Sequence, residues 1–212
     1  MNMKKIKQEL MRKSAEMLKT MRQRRSVRSY KSIAPPIEVI ENCINIAASA
    51  PSGANNQPWT FILVKDKNIK SLIRKESEKI EKEFYEKRIT DEWRNQLSVL
   101  NTGISKPFLE EAPYLICIFV QRYHIDKNGN IIKHYFPFES VGIATGFLIS
   151  ALHNLGISCL TYTPSPMVFL NKILGRPKNE TPFMILVAGY PKDDYKPPEL
   201  AKKESKDYLI IK

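Results

Sequence analysis

Phe138 to Leu155 is apolar on nearly every side of a helix, and Gly156 stands where a helix ends on a left-handed residue. A segment of this kind lacks a solvent face, so it must lie inside a structure built around it. Four apolar runs of strand length can supply that structure: Trp59 to Val64, Pro113 to Val120, Ile157 to Thr163 and Phe183 to Tyr190. Another helix starts near Pro36, a residue tolerated at a first helical position, and carries Ile37, Ile40, Cys43, Ile44 and Ala47 before Pro51 stops it. A short helix ending at Gly175 separates the last two strands, and Asp126-Lys127-Asn128-Gly129-Asn130 is a tight turn. The expected fold class is α+β, a small mixed sheet with helices on both sides. With 212 residues, 42% hydrophobic and 26% charged, one core is expected.

Two segments stand apart from that core. Residues 1–21 form an amphipathic arm in which Met3, Ile6, Leu10, Met17 and Met21 keep a helical period. A methionine stripe suits packing against protein, so the arm is expected to dock on a partner subunit while residues 22–212 form the domain proper. Lys67 to Arg88 is a highly charged helical stretch, and Asp91 to Leu100 a further helix around Trp93; together they read as an exposed lid over about 67–106. Tyr208 to Ile211 is β-like and suits addition to a neighbouring subunit's sheet, so a homodimer is expected.

The formal charge of +12 would point to nucleic acid or an anionic membrane if it covered one face. Instead, Met1 to Lys31 holds eleven Lys and Arg against Glu9 and Glu16, and the rest of the chain is nearly balanced. Neither nucleic acid nor membrane is an expected partner. Cys43, Cys117 and Cys159 are isolated among apolar neighbours, which suits a reducing, cytoplasmic setting. No run of about 18 apolar residues is present, and no apolar segment follows the basic N-terminus, so the chain reads as soluble and unprocessed. His124, His134 and His153 lack metal-ligand spacing, and no metal is expected. The P-loop, the dinucleotide-binding glycine loop and the serine-hydrolase elbow are all absent.

What remains is a set of small polar signals. Arg24-Arg25-Ser26-Val27-Arg28 sets three guanidiniums and a hydroxyl side by side, and guanidinium forks match phosphate oxygens; such a run also suits a solvated basic face. Pro51-Ser52-Gly53-Ala54-Asn55-Asn56-Gln57-Pro58 offers backbone N–H groups and amides to a planar heterocycle, or is merely a turn. Taken together with T-Y-T-P at 161 to 164, L-G-R-P and V-A-G-Y-P, these motifs resemble the FMN-dependent nitroreductase superfamily in order and spacing. Within it the chain is similar to the iodotyrosine deiodinase branch, because Glu81, Tyr85 and Lys106 fall at that branch's spacing. The resemblance runs from about Arg22 to Ile211.

The resemblance implies an intertwined homodimer on a nitroreductase-like mixed sheet, with FMN as cofactor. It implies that Arg24, Arg25, Ser26 and Arg28 hold the phosphate and ribityl end, with Lys202 where the superfamily commonly has an arginine. Ser52 and Gly53 would line the flavin. Thr161, Tyr162 and Thr163 would run along the isoalloxazine, with the Thr163 hydroxyl, the implied catalytic group, directed at N5; Tyr162 stands where relatives often carry a third threonine. Ala54, Glu81, Tyr85 and Lys106 would bind a halogenated tyrosine. That set makes chemical sense: an amino-acid zwitterion needs one anion, one cation and a donor, and Glu81 and Tyr85, four apart, share a helix face. The activity implied is reductive dehalogenation of halotyrosines, releasing halide and tyrosine, with electrons from NAD(P)H or a reductase. The alternative is a general nitroreductase or quinone-type flavin oxidoreductase using NAD(P)H.

Overall fold

A computed structural model describes residues 3–100 and 102–212. Positions 1 and 2 of the expected arm and position 101 of the expected lid lie outside the described residues. In chain order the helices are α1 (Met3–Arg22), α2 (Ile37–Ala48), α3 (Lys67–Glu83), α4 (Asp91–Ser98), α5 (Phe108–Glu111), α6 (Pro137–Asn154) and α7 (Phe169–Ile173). The strands are β1 (Trp59–Val64), β2 (Tyr114–Gln121), β3 (Tyr123–Ile125), β4 (Ile131–Lys133), β5 (Ser158–Tyr162) and β6 (Glu180–Gly189).

Four strands form one sheet in the order β1-β2-β6-β5, and every neighbouring pair is antiparallel. The mixed character enters at the edge, where Ser26 makes a parallel bridge to Cys159 on β5. Strand alternation builds two cores from one sheet. From β2, Leu115, Cys117 and Phe119 face Ile73 of α3, Leu109 of α5 and Leu170 of α7. Tyr114, Ile116, Ile118 and Val120 face Ile40 and Cys43 of α2 and Val141, Leu148 and Leu152 of α6. The sheet is therefore sandwiched between helical layers, as an apolar run without a polar face requires. The Asp126 turn joins β3 to β4: its carboxylate accepts from the N–H groups of Asn128 and Asn130, both at 2.8 Å, and Gly129 takes φ +84°. That hairpin brings His124 Nδ1 within 2.9 Å of His134 Nε2, a pairing that ten residues of separation do not announce.

Expectation and structure differ at α6 and in the lid. In the isolated chain α6 is not covered all round, since Phe138, Ile143 and Phe147 are 46, 45 and 41% exposed beside the exposed Gly142 and Gly146. Within one chain Tyr208 to Ile211 joins no strand and is exposed. Of the expected lid, α3 is anchored, with Ile73 and Ser77 fully buried against the core; the overhanging part is the π-turn Phe84–Arg88 together with α4. Among the described residues no helix is long and apolar enough to cross a membrane.

Candidate active site

Val27 orients the arginine run. Its side chain is buried, and its N–H donates to the Cys159 carbonyl at 3.3 Å. With Val27 turned inward, Arg24, Arg25, Ser26 and Arg28 line a cavity of about 310 Å³. The opposite wall is the C-terminal extension, Pro197 to Lys202, held there by a hydrogen bond from the Arg25 guanidinium to the Pro198 carbonyl. Four cations and a hydroxyl converge on one hollow without a carboxylate in its lining. This donor set fits a phosphate monoester, and the FMN phosphate expected from the motifs, by charge and by fork geometry.

Next to it lies a cleft of about 480 Å³ between α3, the Phe84–Arg88 turn and α4 on one side and Thr161 to Ser165 on the other. Here Glu81, Tyr85 and Lys106 meet. Lys106 Nζ is 3.2 Å from Glu81 Oε2, with side chains 3 and 14% exposed, and the ammonium also donates to Thr102 Oγ1 at 3.2 Å. It lies 5.7 Å from the Tyr85 ring centroid and 5.8 Å from that of Tyr162, so two aromatic faces flank it. Burial pulls the Lys106 ammonium below the ordinary lysine range, against the pull of Glu81. Burial and the Glu81 charge together push the Tyr85 phenol up. The Arg28 charge, from the wall of the arginine cavity, also acts to lower both groups.

Along β5 the side chains alternate: Thr161 and the following Thr163 are exposed, while Tyr162 is buried toward α3. Its hydroxyl donates to Glu81 Oε1 at 3.0 Å, so the side chain serves the Glu81 side of the cleft and only its backbone runs with the two threonines. Sequence patterning missed this bond, and it also missed Glu78. The Glu78 carboxylate accepts from the Lys106 N–H at 2.7 Å and from Arg74 Nε at 2.8 Å, fixing the segment that carries Lys106 onto α3. Burial alone would raise its pKa, but these donors hold it below the usual 4.5. Its stabilising contribution is thus present above about pH 4.5, the unfolded value, and is lost as pH falls through the lower folded value. Glu78→Gln should flatten the acid limb of stability in that window and speed amide exchange at Lys106; an unchanged limb would refute the anchoring role.

Ser52, Gly53 and Ala54 line neither cavity. They sit at the N-terminal end of α6, where the Gly53 N–H donates to Ser140 Oγ at 3.1 Å and Asn56 Oδ1 accepts from the Tyr135 N–H at 2.9 Å. The loop is tightly wound: Ala54, Asn55 and Gln57 have φ of 50, 54 and 47°. A non-glycine residue in this region costs on the order of 1–2 kcal/mol, which the surrounding bonds must offset. Among the described residues the exposed Ala54 N–H has no hydrogen-bond partner, whereas those of Gly53, Asn55 and Asn56 do. Gly53 is required for a different reason: a Cβ there would meet the Tyr135 carbonyl oxygen at 2.3 Å. Because that obstacle is backbone, Gly53→Ala should cost about 1–3 kcal/mol, read as a lower denaturation midpoint; an unshifted midpoint would show that the Tyr135 backbone yields freely.

The arginines lie at the other end of α6. Arg24 and Arg25 share a crevice with His153, whose Nε2 is 2.7 Å from the Thr20 carbonyl. At about 1.5 Å per residue, Ser140 and His153 are roughly 20 Å apart along the helix. One chain therefore gathers the cationic cavity and the Glu81–Lys106 cleft but keeps the Ser52–Ala54 loop away from both.

The architecture is that of a nitroreductase fold. Residues 21–190 match the model of the nitroreductase family, and the chain belongs to that family. Its relatives are more particular. The chain is 47% identical over 204 residues to the iodotyrosine deiodinase of Haliscomenobacter hydrossis, a match covering 96% of this chain and 92% of that protein. It is 40% identical over 206 residues to the iodotyrosine deiodinase of Nematostella vectensis, covering 97% and 78%. A crystal structure of oxidized iodotyrosine deiodinase bound to FMN and 3-iodo-L-tyrosine matches with a TM-score of 0.80 at 32% identity, covering 92% of this chain and 97% of that one.

Proposed function

We propose that this protein is an FMN-dependent reductive dehalogenase of halotyrosines that works as a homodimer in the cytoplasm. One observation carries the reading: Glu81, Lys106 and Tyr85 meet in one cleft bordered by Thr161 and Thr163. Relatives named for iodotyrosine deiodination, and a similar structure bound to FMN and 3-iodo-L-tyrosine, support it.

Arg24, Arg25, Ser26, Arg28 and Lys202 hold the FMN phosphate and ribityl end, and the Thr161 and Thr163 hydroxyls, on the open side of β5, serve the isoalloxazine, Thr163 at N5. Reduced FMN, when bound, supplies the two electrons that, with one proton, turn the carbon–halogen bond into carbon–hydrogen and free halide. Lys106 takes the substrate carboxylate, Glu81 its ammonium, and the Tyr85 hydroxyl is the further donor. Before substrate arrives, Lys106 and Glu81 neutralise one another; the zwitterion replaces one ion pair by two, so that no buried charge is left without a partner. A halogen ortho to a phenol acidifies it, and the Ala54 N–H, free within this chain, is the donor to the resulting phenolate.

Ala54 reaches that position only from a second copy. Two copies that pack the exposed Phe138, Ile143 and Phe147 stripes of α6 antiparallel bring the Ser52–Ala54 loop of one to the arginine cavity of the other. The arm, residues 1–21, and Tyr208 to Ile211 add further surface to that dimer, around the domain of residues 22–212. The cytoplasmic assignment rests on three unpaired, buried cysteines, with burial pushing the Cys117 thiol up to about 12 and that of Cys159 to about 11. Electrons come from NAD(P)H or a reductase.

The deciding experiment is a titration of the purified protein with 3-iodotyrosine, followed by reduction. Flavin fluorescence should be quenched on binding, and iodide and tyrosine should form in equal amounts. A yellow protein that oxidises NAD(P)H with nitroaromatics but ignores iodotyrosine would instead be a general nitroreductase, and a colourless one would end the flavoenzyme reading.

A further inference from the structure

Tyr162 is the member of this site whose part remains open. Its ring packs edge-on against Phe108, with centroids 5.5 Å apart at 81°, and its hydroxyl donates to Glu81 Oε1 at 3.0 Å. The other Glu81 oxygen, Oε2, pairs with Lys106 at 3.2 Å. Glu81 is thus held at one oxygen by a neutral donor and at the other by a cation. The two partners differ in what a ligand does to them. A zwitterion draws Lys106 toward its carboxylate and offers Glu81 an ammonium in exchange, while the phenol hydroxyl already occupies Oε1. Behind the pair, Ser77 is fully buried one helical turn before Glu81, and its hydroxyl makes no hydrogen bond of normal geometry, although it lies near enough to act on the Tyr162 phenol.

We propose that Tyr162 is a positioning residue for the amine subsite: its hydroxyl pins Glu81 Oε1 so that Oε2 stays aimed at the ligand ammonium when Lys106 turns to the ligand carboxylate. Selectivity for a free α-amino acid then depends on a side chain whose hydroxyl acts through Glu81 and not on the ammonium itself. The inference rests on the substrate reading above and deepens it. Without the hydroxyl, Glu81 can follow Lys106 and reform the ion pair, and the ammonium meets a carboxylate already committed elsewhere.

The test uses the FMN-loaded protein and the variant Tyr162→Phe, which retains the ring and its edge contact with Phe108. Two ligands are compared: 3-iodotyrosine and 3-(3-iodo-4-hydroxyphenyl)propionic acid, which lacks the ammonium. The variant should retain FMN, bind 3-iodotyrosine about tenfold or more weakly, and bind the des-amino acid within about twofold of wild type. In turnover KM for 3-iodotyrosine should rise while kcat stays within about twofold. In a Glu81→Gln background, Tyr162→Phe should add less than about twofold, since the oxygen it positions no longer carries charge. Equal losses for both ligands, or additive losses in the double variant, would make Tyr162 ordinary core packing and overturn the inference. So would wild-type affinity for 3-iodotyrosine in Tyr162→Phe. Failure of the wild type to bind 3-iodotyrosine would instead bring down the substrate reading itself, and this inference with it.

Discussion

Lys106→Ala should weaken 3-iodotyrosine binding by about 30-fold or more while leaving FMN in place. The ammonium is nearly inaccessible and paired with Glu81 at 3.2 Å, so its removal leaves both the poorly solvated Glu81 carboxylate and the substrate carboxylate without a counter-ion. Truncating one partner of a buried, hydrogen-bonded charge pair costs about 2–5 kcal/mol, and 1.4 kcal/mol is a factor of ten. Glu81→Gln should act in the same direction through the ammonium. A simple iodophenol carries neither charge and should respond little to either change. The comparison separates a charged subsite from general loosening of the lid, which would weaken every ligand. Normal 3-iodotyrosine affinity in both variants would reduce the triad to a structural ion pair.

Replacing Arg24, Arg25 and Arg28 together by alanine should yield a folded protein without FMN. These side chains surround one cavity, and the residue that builds the fold at this point, Val27, is unchanged. A hydrogen bond to a charged group contributes about 1.5–3 kcal/mol, so losing three contacts of this kind exceeds 4 kcal/mol, about a thousandfold in affinity. Absorbance of the purified variant near the flavin maxima measures the outcome, with far-ultraviolet circular dichroism as the folding control. Full flavin content would move the phosphate site elsewhere. Lys202→Ala alone should weaken FMN less, because an ammonium is a point charge without the fork.

Local features of the site were legible in the chain. Arg24 to Arg28 are adjacent in sequence, and Glu81 and Tyr85 are only four apart, although Tyr85 lies in the π-turn that follows α3 and not on α3 itself. The four strands of the main sheet and helices α1, α2 and α6 followed from apolar patterning, and the turn at Asp126 to Asn130 from residues that suit it, whereas β3, β4 and α5 did not. Placing Lys106 and Lys202 with their partners needed the family resemblance, because nothing in periodicity relates residues so far apart.

Other features became visible only in three dimensions. Tyr162 lies between two threonines, and no pattern states that its hydroxyl meets Glu81; that follows from β5 turning alternate side chains to opposite faces with α3 packed over one of them. Glu78 looks like any acid on a charged helix until its oxygen is found on the Lys106 N–H. His124 and His134 read as isolated and are paired by a hairpin. The apolar sequence of α6 determined that this helix must be covered on every side, because an exposed apolar stripe is costly in water. The tertiary structure decided which part of it one chain covers: the sheet and α2 bury one side, and Phe138, Ile143 and Phe147 are left outward. Composition and periodicity encode how much surface must be hidden and in what repeat. Which surfaces hide it, and which charges are thereby brought within hydrogen-bonding distance, is set by packing between segments far apart in the chain.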